Sequence, residues 1–370
     1  MFYNFYILYY KYIDIEGYFL GLVFVIQYYM DKSKWNDEIN KLITIINKIE
    51  YDSLCKLKLF SSIFNMAEAI DCKYKLIMAI FNLAKDTEQY AAVFKFHVFV
   101  DNWVTNWKLN SNQQRDIYKI ISEIVSKVST STTVPSSSLP VSTISSSAAL
   151  AITYWSKYVS TFNGSGILSN DEKTEFSSVI SNVIVQAIQS DSVTPTYHHA
   201  RNGLYHCINS LPADLVSNNS IPTVLTELLL IVCTGSLSDF NEKYATSAVF
   251  ATYNIDKTTV THVLKLLSIC ALVAANQVHE TICLSFEQIK KYLHISNNDE
   301  DNGQNVEYWL VEAISYNLID ASINQIDENV TVSRYAHFQQ HNGTKDWTDK
   351  QLQQLKLVQN KIINGTARMV

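Results

Sequence analysis

The sequence predicts a mainly α chain: a right-handed superhelical stack of helix pairs, then a small α/β winged helix, then a C-terminal helix. Three observations carry this. Apolar residues recur at three- and four-residue spacing through most of the chain, the period of a helix with one buried face. Only 5 Pro and 9 Gly in 370 residues interrupt them. The pattern then changes over residues 258–338, where two short alternating stretches and a hairpin appear among the helices. Successive helices with short connections and no strict repeat period fit stacked helix pairs.

Taken in order, residues 1–34 form an apolar leader crowded with Tyr. Its most apolar run, 18–30, is short of the ~20 residues a membrane span needs, and no basic leading segment or small-residue cleavage site marks a secretory signal. Residues 35–128 read as N-terminal helical repeats. Their stripes are Leu42, Ile45, Ile46 and Ile49; Leu57, Phe60, Phe64 and Ala67; Ile77, Ile80 and Ala84; Tyr90, Val93, Phe94 and His97; and Ile117, Ile120, Ile121 and Ile124. Trp103 and Trp107, four apart, should cover one face together. Residues 129–148 are dominated by Ser and Thr, lack charge and contain Pro135 and Pro140; they are expected to be a disordered insert. Helical text resumes over 149–257, including a stripe at Phe176, Val179, Ile180, Val183, Ile184 and Ala187 and another at Ala200, Leu204, Cys207 and Ile208.

The winged helix is expected over 258–338. Val260, Val263, Leu264, Leu267, Cys270, Ala271 and Ala274 line its first helix. Ile282 and Leu284 alternate as in a strand, and Ser285 with Gln288 matches a capping box that opens a second helix. A polar loop follows over 296–304. Val306, Trp309, Leu310, Ala313, Ile314 and Leu318 form one side of a third helix. Ile319, Ala321 and Ile323 then alternate, and Val330 and Val332 alternate in the return strand. Beyond it, residues 339–370 hold a last helix over 347–363, with Leu352, Leu355, Val358 and Ile362 on one side.

A winged helix that reads DNA lays its last helix in the major groove and needs cations and base-reading side chains there. Here 306–318 has no Lys or Arg but carries Glu307 and Glu312, and the hairpin adds Asp320, Asp327 and Glu328. Such a surface gains nothing from counterion release, so a protein-binding role is expected. The whole-chain balance agrees: charged residues are 17% and the net charge is −6, which gives no bulk attraction to nucleic acid. Six Cys without C-x-x-C spacing fit reduced core thiols. His198, His199 and His206 beside Cys207 lack the acidic or thiol companions of a zinc site and are expected to face solvent. Gly164-Ser165-Gly166 lacks the Lys-Ser/Thr of a phosphate loop. No nucleophile or base motif is found. No catalytic, cofactor-binding or metal-binding residue is assigned, no cofactor is expected, and the chain is not expected to be an enzyme.

Three segments resemble a known family. They are VEYWLVEAISYNLIDASINQIDENVTVSRYAHFQQHNGTKDWTDKQLQQL (306–355), VDNWVTNWKLNSNQQRDIYKII (100–121) and LKLFSSIFNM (57–66). The first includes Ile323, Gln325, Val330, Val332, Ser333 and Arg334 of the family's hairpin core. They are similar to the PCI domain, the module shared by the proteasome lid, the COP9 signalosome and eukaryotic translation initiation factor 3, with the wording nearest the last. The resemblance spans about residues 36–365 and implies a non-catalytic, cytoplasmic scaffold. In this family winged-helix sheets line up edge to edge and terminal helices join a shared bundle. The implied role is assembly of the translation preinitiation complex on the small ribosomal subunit and mRNA recruitment. The implied partners are other PCI subunits and, indirectly, that ribosomal subunit, with no membrane and no sequence-specific nucleic acid. A protein interface is expected at Ile323, Val330 and Val332, with 330–333 augmented by a partner if it is an edge strand, and at Leu352, Leu355, Val358 and Ile362 in the tail. The rival readings are a scaffold subunit of the COP9 signalosome, a nucleic-acid-binding winged helix, and a membrane-tethered chain using residues 1–30.

Overall fold

The computed structural model describes residues 35–48, 50, 52–130, 141–163, 170–212, 215, 221–244, 247–276, 281–295 and 305–336. The leader 1–34 and the tail helix 347–363 lie outside them, as do Leu352, Leu355, Val358 and Ile362. Helices dominate, with one small sheet near the C-terminal end. The chain divides into two compact units at Ile167/Leu168.

The first unit contains α1 (Trp35–Lys48), α2 (Ser53–Met66), α3 (Ile70–Asp86), α4 (Tyr90–Phe94), α5 (His97–Asn106), α6 (Ser111–Thr130) and α7 (Val141–Ser160). Helix α3 is its hub, packing on α1, α2, α4 and α6. Its spacing explains why: Cys72, Leu76, Ile77, Ile80, Phe81 and Ala84 are all buried. Trp103 and Trp107 do share a face, stacked at 5.3 Å between ring centroids and 12° between planes. Phe64 of α2 meets Trp103 edge-on at 5.7 Å.

Helices α6 and α7 make the most extensive helix–helix contact of the unit. Ile117, Ile121, Ile124 and Val125 are buried, as are Ile152, Trp155 and Val159. Near the start of α6, the Arg115 guanidinium lies 4.1 Å over the Phe162 ring just past α7, and Tyr118 stacks on Tyr154 at 6.3 Å. The expected insert 129–148 is therefore too wide. Helix reaches Thr130 and begins again at Val141, leaving 131–140 outside the described residues. Two physical reasons account for this. A proline directly before a helix removes only an N–H that would have no helical partner. Ser and Thr ride inside helices when their hydroxyls bond back to a preceding carbonyl, as happens on either side of the stretch, from Ser126 to Ser122 at 2.7 Å and from Thr153 to Ala149 at 2.9 Å. The Ser/Thr-rich stretch thus links two helices of one unit, and the unit boundary falls later than the expected 148/149.

The second unit contains α8 (Asn170–Gln189), α9 (Pro195–Asn209), α10 (Thr223–Thr234), α11 (Leu237–Tyr244), α12 (Val249–Thr252), α13 (Lys257–Ala275), β1 (Ile282–Ser285), α14 (Phe286–Tyr292), α15 (Val306–Ser315), β2 (Ile319–Asn324) and β3 (Asn329–Tyr335). Helix α9 buries Tyr197, His198, Arg201, Leu204 and Ile208. His198 is therefore not solvent-facing as expected. Arg201 is fully buried because its Nε donates to the Ala187 carbonyl at 3.0 Å and Nη2 to Ser190 at 3.5 Å. Those carbonyls are at the C-terminal end of α8, where a cation complements the helix dipole.

Helix α13 is the keel of this unit. By length and composition it could cross a membrane. Here it packs on α8, α10 and α11 as well as on α14, α15 and β3, so its apolar residues form a core. Gly235 closes α10 in the left-handed region, φ +66°, and a Cβ there would come within 3.1 Å of the Leu267 Cβ on α13. Ser268 donates to the Gly235 carbonyl at 2.8 Å. A glycine C-cap thus lets α10 approach the keel closely.

The sheet has the order β1-β3-β2, antiparallel throughout. Ile282 and Leu284 of β1 face Val332 and Val330, and Ile323 of β2 also faces Val330. Strand 330–333 is therefore central. Its two neighbours already take its backbone groups, so it offers no edge to a partner. Val330 and Val332 are fully buried because both lie on the face turned to α13.

Candidate functional site

The surface that distinguishes this winged helix is built on α15. Asn305 caps it, its Oδ1 accepting from the Tyr308 N–H at 2.9 Å. Val306, Trp309, Leu310 and Ala313 are buried. Trp309 is held by α13: the His262 ring centroid is 5.2 Å away and Lys265 Nζ lies 4.9 Å over the indole. His262 Nε2 is 2.9 Å from a Glu312 carboxylate oxygen. With one side so fixed, the opposite side of α15 presents Tyr308 and Val311, 40% and 58% exposed.

The hairpin turn extends this face. Gln325 donates from Nε2 to Glu307 Oε2 at 2.9 Å, which ties the turn to the first turn of α15. Within the turn, Asn324 Oδ1 accepts from the Ile326 and Asp327 N–H groups at 3.1 and 3.2 Å, an Asx turn. Ile326 projects from it, 94% exposed. The resulting patch is apolar and rimmed by Glu307, Asp327 and Glu328. Over 305–336 the charges are five acidic side chains (Glu307, Glu312, Asp320, Asp327, Glu328) against Arg334 alone, a net of −4. No Lys or Arg lies on α15. This is the helix a DNA reader would press into a groove, and its charge is of the wrong sign.

The second feature is the pair of sheet edges. Among the described residues, strands β1 and β2 each pair on one side only, and a strand edge of that kind suits strand addition. Strand β1 is regular. Strand β2 carries a register irregularity at Asp320/Ala321, a device that blunts an edge. Cys283 of β1 and Ser322 of β2 are exposed.

Of the residues expected at an interface, Val330 and Val332 set the sheet from inside, and Ile323 is half-buried on the edge strand β2. The structure brings these three together. Sequence reasoning missed Tyr308, Val311 and Ile326. Val311 falls between the apolar positions of the α15 stripe, and an Ile inside a polar turn was a legible signal for Ile326. It also missed the buried pair His198 and Arg201.

Among the described residues no three His, Cys, Asp or Glu side chains gather as metal ligands would. None of the six cysteines forms a disulfide. Burial pushes the Cys233 and Cys270 thiols up to about 12, which removes nucleophilic thiolate at neutral pH. Burial, and secondarily the Arg201 charge, holds His198 well below the usual histidine range.

Comparison with known proteins agrees with this geometry. Residues 247–334, the span from α12 nearly to the end of β3, match the family model described as PCI domain. The chain is also similar to eukaryotic translation initiation factor 3 subunit M of Dictyostelium discoideum, 24% identical over 331 residues, which covers 86% of this chain and 70% of that relative. Helices leading into a winged helix, with residues 247–334 matching the PCI domain model, make the chain similar to initiation factor 3 subunit M.

Proposed function

We propose that the chain is a non-catalytic scaffold subunit of translation initiation factor 3, working in the cytoplasm. In this role it supports assembly of the preinitiation complex on the small ribosomal subunit and recruitment of mRNA. Its direct partners are other PCI subunits, and its link to the ribosome is indirect. The observation that carries the reading is the winged helix itself: two sheet edges unpaired among the described residues beside an anionic α15, inside a chain that aligns with an initiation factor subunit along most of its length. Such a module adds strands and buries apolar side chains; it does not grip phosphates. Leu352, Leu355, Val358 and Ile362 supply a second contact as an amphipathic tail helix.

The test is co-purification of tagged variants. Cys283→Lys and Ser322→Lys place charge on both sheet edges, which discourages strand addition. These changes, and separately Leu355→Asp with Val358→Asp, are expected to release the chain from its complex while its melting temperature holds. Unchanged recovery of partners by both pairs would refute the docking roles.

A further inference from the structure

The first unit carries a groove between α1 and α3 with the dimensions and chemistry of a peptide site. From its residues we infer that it holds an extended, polyproline-II segment of a partner protein with a Lys or Arg at one end. The groove is separate from the winged helix and its role does not rest on the scaffold reading.

The groove encloses about 610 Å³, a volume typical of ligand sites. Helix α1 lines it with Asn40, Ile43 and Asn47, and α3 with Tyr74, Met78, Asn82 and Asp86. Spacings of three and four residues put each set on one face of its helix, so the lining is continuous. Tyr74 and Asp86 are 12 positions apart, about 18 Å along α3. A polyproline-II chain rises about 3.1 Å per residue, so roughly six residues span that length.

Three features select the occupant. The first is the set of amides. Asn40, Asn47 and Asn82 are exposed. Among the described residues, the side-chain groups that bond to Asn40 and Asn47, Thr44 Oγ1 and Lys56 Nζ, reach main-chain carbonyls, and the side-chain amides of all three asparagines make no hydrogen bond. Each amide offers two N–H donors and one acceptor. Asn40 and Asn47 are seven positions apart, about 10.5 Å along α1. In polyproline II, residues i and i+3 face the same way about 9.3 Å apart, and their carbonyls have no partner within the chain. Both amides can therefore donate to one such segment. A β-strand turns the same edge every two or four residues, about 7 or 13 Å, and fits neither. The second feature is the floor. Ile43, Met78 and Leu83 are half-buried there. The Tyr74 ring beside them is held by its hydroxyl, which donates to Asp116 Oδ2 at 3.0 Å. Aromatic and apolar walls of this kind receive proline rings. The third is charge. Asp86 marks one end of the groove, whereas Asp116 and Lys75 share the other and offset each other. The Asp86 end thus selects a cation and fixes the direction of the segment.

Titration of the purified full chain into a fluorescein-labelled Ala-Pro-Ala-Ala-Pro-Arg peptide, followed by anisotropy, tests this. Saturable binding is expected. Asn40→Ala and Asn47→Ala should each weaken it about fivefold, the loss of one hydrogen bond, with the melting temperature unchanged. Asn102→Ala, on α5 and outside the groove, should leave it as it is. Replacing the peptide's Arg by Glu should weaken binding about tenfold, and Asp86→Asn should remove that preference. No saturation up to about 1 mM peptide would overturn the proposal, as would binding that neither Asn40→Ala nor Asn47→Ala weakens. So would tighter binding of a strand-forming Thr-Val-Thr-Val-Thr-Arg peptide, which would make the occupant an extended β segment. Hydrogen-exchange protection of 74–86 that grows with protein concentration would assign the groove to a second copy of the chain and overturn it equally.

Discussion

Replacing Val332 by Thr tests which face of β3 is turned to the core of the winged helix. The two side chains have nearly the same shape, so the change swaps a methyl for a hydroxyl and little else. Val332 is 1% exposed and faces Ile282 on one neighbouring strand and Ala321 on the other. A hydroxyl buried there without a partner costs about 1–3 kcal/mol. Thr331 is the natural control: it belongs to the same strand, points the other way and is exposed. Thr331→Val should change stability by no more than about 0.5 kcal/mol. Hydrogen exchange resolves the two locally. For Val332→Thr the slowest amides of β1 and β3 should exchange roughly 5- to 150-fold faster, and for Thr331→Val they should barely move. Equal effects of the two changes would mean that the strand does not turn Val332 to a core.

Two further outcomes follow from the second unit. Gly235→Ala puts a Cβ in the left-handed region and 3.1 Å from Leu267, so denaturant unfolding should show a loss of about 1–2 kcal/mol; a neutral result would mean that α10 does not end as described. His198 is held neutral by burial. Its folded pKa lies below the unfolded value of about 6.5, so below that pH the unfolded chain takes up a proton that the folded chain resists. Stability is full above about pH 6.5 and falls as the pH drops, by up to about 1.4 kcal/mol per pH unit for this group. His198→Gln should flatten that slope between pH 7 and 5, measured as melting temperature; an unchanged slope would remove His198 as its source.

Much of the winged helix was legible because its local signals agree. Ser285 and Gln288 read as a capping box, and both hydrogen bonds are present, at 3.3 and 3.1 Å. The stripe Val306, Trp309, Leu310 and Ala313 is the buried face of α15. Strand order was less legible, because Val330 and Val332 alternate identically in a central or an edge strand; only pairing decides. The Ser/Thr-rich stretch misled because composition does not show how far the flanking helices run, and the burial that α6 and α7 give each other carries them into it. Arg201 was hidden because a charged residue on a buried face breaks the apolar pattern, and the carbonyls that accept from its Nε and Nη2 come from the end of another helix.

Affinity purification of the tagged full-length chain from cells that express it tests the central claim most directly. The account predicts that other PCI subunits of initiation factor 3 and small-ribosomal-subunit proteins co-purify, and that nuclease treatment leaves the factor subunits bound. Recovery of COP9 signalosome subunits instead, or loss of all partners on nuclease treatment, would contradict it.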